Sequence, residues 1–247
     1  MPLPQNLLAL HFEEERIRSL SLTQIASDPG MQGQIESLEA SMTVLIHFSS
    51  RYPSESRDLL TIQELGCRLN TSISSGLKLV LSGYYLPAVA QRRDLFETGQ
   101  LLDHFRSDSK LIAEWREAES RRDRDPFQPK NVRKALDDRD GNKERKRDIH
   151  YRDLSIYATH PHPKATLLLR RAGGSLTHGG PFHDDKLLFH ILHEIGDGAL
   201  LAAEAFLRHF KMQTREDAAT HARFQEVVSS WHARRKHAAI SAPAISE

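Results

Sequence analysis

Apolar residues in this chain recur at steps of three and four. From Leu59 they run through Ile62, Gly66, Leu69, Ile73, Gly76, Val80 and Gly83, one face of a long helix. Three glycines on that face each cost about 1 kcal/mol of helix propensity relative to alanine, so the pattern predicts a seam where another helix crosses closely. Pro87 suits the first turn of a second helix. Its apolar residues lie on two sides, Val89 and Phe96 on one and Leu95, Leu102 and Phe105 on the other. A helix packed on both sides belongs near the centre of a bundle. Upstream, Ile35, Leu38, Met42, Leu45 and Ile46 mark a helix over 34–49 behind the breaker Asp28-Pro29-Gly30, and 7–25 is amphipathic.

Periodicity returns at Ile149, with Leu154, Ile156 and Tyr157, until Pro161 and Pro163 interrupt the helix at His160. Asp184 or Asp185 caps a further helix with a stripe of Leu188, Ile191, Leu192, Ile195, Ala199, Ala202 and Phe206. Phe224, Val228 and Trp231 mark a last one over 215–237. No alternating strand pattern occurs. The expected fold is all-α, a bundle of about six to seven helices with its core at 59–82, 86–105, 149–160 and 186–209. Residues 1–247 read as a single helical domain with a peripheral segment 1–27, a charged interhelical loop 121–147 and a frayed tail 238–247.

Composition changes this picture locally. The net charge of +1 over 247 residues gives no global argument for a polyanionic partner. Residues 121–147 carry eleven Lys/Arg against six Asp/Glu, an excess of five, which reads as a solvated loop with a short helix or as a phosphate contact. The one cysteine, Cys67, excludes an intrachain disulfide, and its helical apolar context predicts a packed thiol. The N-terminal apolar run is broken at once by acids, unlike a signal peptide, and no stretch approaches the roughly 18 to 20 apolar residues that span a bilayer. A cytoplasmic protein with no membrane partner is expected.

Two segments carry candidate chemistry. Arg93 and Glu97, at i and i+4, can pair within the central helix. "YRDLSIYATHPHP" places Tyr151, Arg152, Ser155, Tyr157, His160 and His162 in thirteen residues. An arginine holds a phosphate and a histidine accepts or donates a proton near neutral pH. On one helix Arg152 and His160 differ in direction by about 80°, close enough to flank a groove. The arrangement predicts that Tyr151, Ser155 and His160 face Arg93 and Glu97 in a buried polar network, either a structural one or a site for a phosphate-bearing ligand. His190, His193 and Glu194 lie on one helix and His160 or His162 could join them. Yet the order is H-x-x-H-E rather than H-E-x-x-H, so neither metal nor cofactor is assigned. Ser155 with His160 lacks a nucleophile elbow, and no phosphate-cradling glycine motif occurs.

Arg93, Leu95, Phe96 and Glu97, followed by Tyr151, Leu154, Ser155 and His160, resemble the R-x-L-[LF]-E and Y-x-x-L-S-x-x-x-H helices of a bacterial all-helical family, over about residues 57 to 210. That family is similar to the HEPN superfamily, which includes defence and toxin ribonucleases with an R-x(4–6)-H motif. Seven residues separate Arg152 from His160 here. The resemblance implies a metal-independent ribonuclease or nucleotide-phosphate binder. His160 would be its acid–base group and Arg152 its phosphate anchor, with Arg93, Glu97, Tyr151 and Ser155 in support. The expected partners are RNA or a nucleotide phosphate, and a second copy in a homodimer. The alternative is a non-enzymatic helical binding or interaction module in which the same residues form a structural network.

Overall fold

The computed structural model describes residues 4–158, 162–170 and 180–241. They form ten α-helices and no strand. The expected all-α class holds, and the expected six to seven helices is an undercount.

Four helices make the core: α2 (Pro29–Ser50), α3 (Arg57–Leu81), α4 (Tyr85–Phe105) and α9 (Asp185–Leu207). The helix expected as the fourth core member, α8 (Lys146–Ala158), instead packs on the outer side of α4. α2 takes a core place because Met31, Leu38, Val44, Leu45 and Phe48 give it a continuous buried stripe, whereas among the described side chains of α8 Leu154 alone is a buried hydrophobic one. Asp28 is therefore the N-cap of α2 and accepts from the Met31 amide at 3.0 Å, with Pro29 in the first turn. Asp184 caps α9, accepting from Lys186 N and Leu187 N.

The glycine seam on α3 holds at Gly66 and Gly76, but Gly83 lies beyond the helix in the following turn, at φ 81° against the Phe182 backbone. A Cβ on Gly66 would meet Ser49 Oγ and the Phe206 ring, and one on Gly76 would lie 3.2 Å from Gln91 and 3.3 Å from Ile195. α3 is thus crossed closely by α2, α4 and α9. Cys67 is exposed, against the packed thiol expected, because one step past Gly66 turns it out of the seam with Glu64, Arg68 and Thr71.

Residues 121–147 are more than a loop with a short helix. They hold α6 (Arg121–Arg124), a 3-10 turn over Asp125–Phe127, α7 (Pro129–Arg139) and the start of α8. α5 (Lys110–Glu117) leads into them. Val132 and Leu136, four apart, bury one face of α7 against α4, which is enough to hold a charged segment in helical form. α4 consequently has α3 and α9 on one side and α7 and α8 on the other, the central position expected of it.

α1 (Gln5–Ser27) lies on the outside with Ile17, Ser21 and Ile25 turned inward. α10 (Arg215–Ser241) packs on α2 through Phe224, Val228 and Trp231. It is fixed by the bond between His47 Nε2 and Asp217 Oδ1 at 2.7 Å, while Asp217 Oδ2 accepts from Gln213 N and Thr214 N. The tail expected to fray from 238 stays helical to Ser241, and 242–247 lie outside the described residues. Among the described residues no helix is long and apolar enough to cross a membrane.

Candidate functional site

Two consecutive arginines of α4 point into different surroundings on the α8 side. Arg92 falls on the buried stripe of α4 with Ala88, Val89, Leu95, Gly99 and Leu102. Its side chain is 4% exposed. Gly198 of α9 makes the room: a Cβ there would stand 2.7 Å from Arg92 Cδ. Arg92 Nη2 donates to His150 Nε2 at 3.0 Å, and the His150 ring meets Phe96 edge-on at 4.9 Å. The Nε of Arg92 lies 3.5 Å from Glu194 Oε2, an ion pair at the outer limit of a hydrogen bond, and has no well-formed hydrogen-bond partner among the described residues.

Burial lowers the Arg92 pKa from its ordinary value, and the Glu194 carboxylate acts against that shift. The His150 pKa is also lowered, first by burial and then by the Arg92 charge. Both causes agree with the geometry, since Nε2 accepts from a cation and so carries no proton.

These groups open on a cleft of about 420 Å³ between α4, α8, α9 and the 3-10 turn at Ala165–Leu169. Its walls are largely apolar: Val89, Leu154, Tyr157, Leu167, Leu168, Leu187 and Ile191. Arg92 and His150 lie along it, with His190, Asp153 and Glu194, all three exposed. The volume falls within the roughly 300 to 1,000 Å³ of small-molecule sites.

Arg93 turns to the neighbouring side. Its Nε donates to Glu97 Oε1 at 2.8 Å and its Nη2 to the Tyr151 hydroxyl. Two guanidinium groups approach the Tyr151 ring, Arg93 at 4.9 Å and the buried Arg133 at 3.6 Å, and Arg133 Nε donates to Asp148 at 2.7 Å. The expected meeting of Arg93, Glu97 and Tyr151 therefore occurs, but with the Arg93 and Glu97 side chains 20% and 27% exposed it is only half buried.

The remaining expected residues scatter. Ser155 Oγ is buried without a hydrogen-bond partner among the described residues, and Arg152 is exposed on the outward side of α8. His160 lies outside the described residues. His162 Nδ1 accepts from the Lys164 amide at 3.1 Å, which ties it to a local turn. His190 faces the cleft, whereas the His193 ring stacks on Phe189 and approaches Gly30 of α2. The two imidazoles thus diverge, and among the described residues no group of three or more His, Cys, Asp or Glu converges to hold a metal.

Sequence reasoning passed over Arg92 and His150. The signal was present: Arg92 interrupts an apolar stripe of step three and four, and His150, Leu154 and Tyr157 share one face of α8 at i, i+4 and i+7. No family model, no curated protein and no solved structure matches the chain.

Proposed function

We propose that this chain is a helical binding protein whose α4–α8–α9 cleft takes a small ligand with an apolar body and one anionic head, a carboxylate or a phosphate monoester. The observation that carries this reading is the Arg92 guanidinium, almost wholly buried beside an apolar cleft, with its Nε lacking a well-formed hydrogen-bond partner among the described residues. A desolvated cation with an unused donor is costly, and an anion presented to it restores a charge-assisted bond. Glu194 holds that place weakly at 3.5 Å from an exposed position. A ligand head displaces it while the ligand body covers the leucine-rich walls. The Asp153 and Glu194 carboxylates favour a single anionic group over a polyanion.

Metal-independent RNA cleavage by a HEPN-like defence or toxin protein is the second reading. It is favoured by His150 and His190, which bring imidazoles from α8 and α9 to the cleft that holds Arg92. In it Arg92 and His150 take the parts that sequence reasoning gave to Arg152 and His160.

Thermal unfolding with four probes tests the first reading: decanoate, decyl phosphate, decanol and inorganic phosphate. The two amphiphilic anions should raise Tm, and decanol or phosphate alone should not. No shift with either anion, together with RNA cleavage in chelator that His150→Ala abolishes, would reverse the order of the two readings.

A further inference from the structure

α1 presents a second exposed surface, apart from the cleft. Its inward residues Ile17, Ser21 and Ile25 pack on the bundle. On the outer side, about 140° around the helix, Leu8, Phe12, Glu15, Ser19, Leu22 and Ala26 are all exposed. Their spacing of four, three, four, three and four keeps them within a stripe about 80° wide, the seam of a coiled coil. Phe12 is 74% exposed and Leu22 50%. Residues 4–9 are all exposed, so the first turn of α1 overhangs the rest of the molecule.

We propose that this stripe is an isologous interface in which α1 of a second copy of the chain packs antiparallel on α1. The register suits a second copy as the occupant. Pairing positions whose numbers sum to 34 brings every seam residue opposite another seam residue: Leu8 with Ala26, Phe12 with Leu22, and Glu15 with Ser19. A two-fold axis generates each layer twice, so the pattern is complementary to itself. The overhanging turn of each copy, with its exposed Leu8, then covers the C-terminal half of the other α1.

Charge follows the same register. Glu15 and Arg18 pair within one helix in the isolated chain. In the antiparallel pair, Glu15 of each copy stands one residue from Arg18 of the other, so four alternating charges close around the two-fold axis. Arg16, on the opposite flank, is already held by both carboxylate oxygens of Glu13 at 2.8 and 2.7 Å. It therefore meets its own symmetry mate with its charge offset.

Sedimentation equilibrium of the full chain at micromolar concentration tests the proposal. Wild type should show twice the chain mass. Phe12→Asp should weaken the dimer at least tenfold while leaving the circular-dichroism spectrum unchanged, because the ring is not part of the core. Glu15→Arg and Arg18→Glu should each weaken it, and the double reversal should restore it. A monomeric wild type, a dimer indifferent to Phe12→Asp, or a double reversal no better than its parents would overturn the proposal. So would a monomer that uses Phe12 to co-sediment with anionic vesicles.

Discussion

Arg92 Nη2 and His150 Nε2 stand 3.0 Å apart across the α4–α8 contact, and each fixes the state of the other. A proton on His150 Nε2 would face a guanidinium N–H, so the imidazole stays neutral and the guanidinium keeps an acceptor. The Nε–H of Arg92 is left without an acceptor among the described residues.

Replacing Arg92 with methionine separates stability from binding. Removing a buried, poorly paired charge in favour of an apolar side chain of similar length is often neutral or stabilising by about 1–4 kcal/mol. Arg92→Met should therefore unfold at the wild-type temperature or above it, measured by calorimetry, while losing stabilisation by decyl phosphate.

Acid sensitivity should begin with histidines. His104, His150 and His209 all have pKa values lowered below the ordinary 6.5, in each case chiefly by burial. Between the folded and unfolded values the unfolded chain binds more protons, so stability rises with pH there. The contribution is complete above about 6.5 and is lost as pH falls from there through the lowered folded values. Among the carboxylates, Asp140, paired with Arg139 and Arg147, is held down to about 2, and Asp217 is also lowered, so their losses begin only in stronger acid. Tm measured against pH should drop already between about 6.5 and 5, and His150→Gln should flatten that slope. A flat curve across this window would contradict the assignment of three half-buried neutral imidazoles.

Tyr151 tests the half-buried cluster. Tyr151→Phe keeps the ring against Arg93 and Arg133 but removes the bond to Arg93, and should cost about 1 kcal/mol in chemical denaturation. Tyr151→Ala also removes both cation–π contacts and should cost about 2–3 kcal/mol. The Arg93–Glu97 coupling in a double-mutant cycle should be about 0.5–1 kcal/mol, the size expected of a half-exposed i,i+4 pair rather than a buried one.

Gly66→Ala reports on the core crossing. The added methyl would meet Ser49 Oγ of α2 and lie 2.5 Å from Phe206 of α9. With helices on both sides unable to retreat, the variant should lose about 2–3 kcal/mol in denaturant titration.

The α3 stripe, the two-sided α4 and the α9 stripe were legible because each has a long run with a single period. The core role of α2 was not, since α2 and α8 both read as amphipathic and only packing shows which has the longer apolar face. The packing of α7 was hidden because two residues, Val132 and Leu136, anchor an eleven-residue helix in which six are charged. At the site, Arg93 and Glu97 were found by their i, i+4 spacing, and Tyr151 by the polar stretch and the family resemblance that include it. Arg92 and His150 were overlooked because a charge on an apolar stripe counts against a periodic pattern, although that misfit is the feature that places a guanidinium beside the cleft. Gly198, which admits Arg92, reads in sequence only as a weak helix position.

Isothermal titration of decanoate and decyl phosphate tests the central claim most directly. Wild type should bind at least one of them, Arg92→Met should bind at least tenfold more weakly (about 1.4 kcal/mol), and Glu194→Gln, which removes the competing carboxylate, should bind more tightly. Equal affinity in wild type and Arg92→Met, or weaker binding by Glu194→Gln, would contradict an anion seated on Arg92.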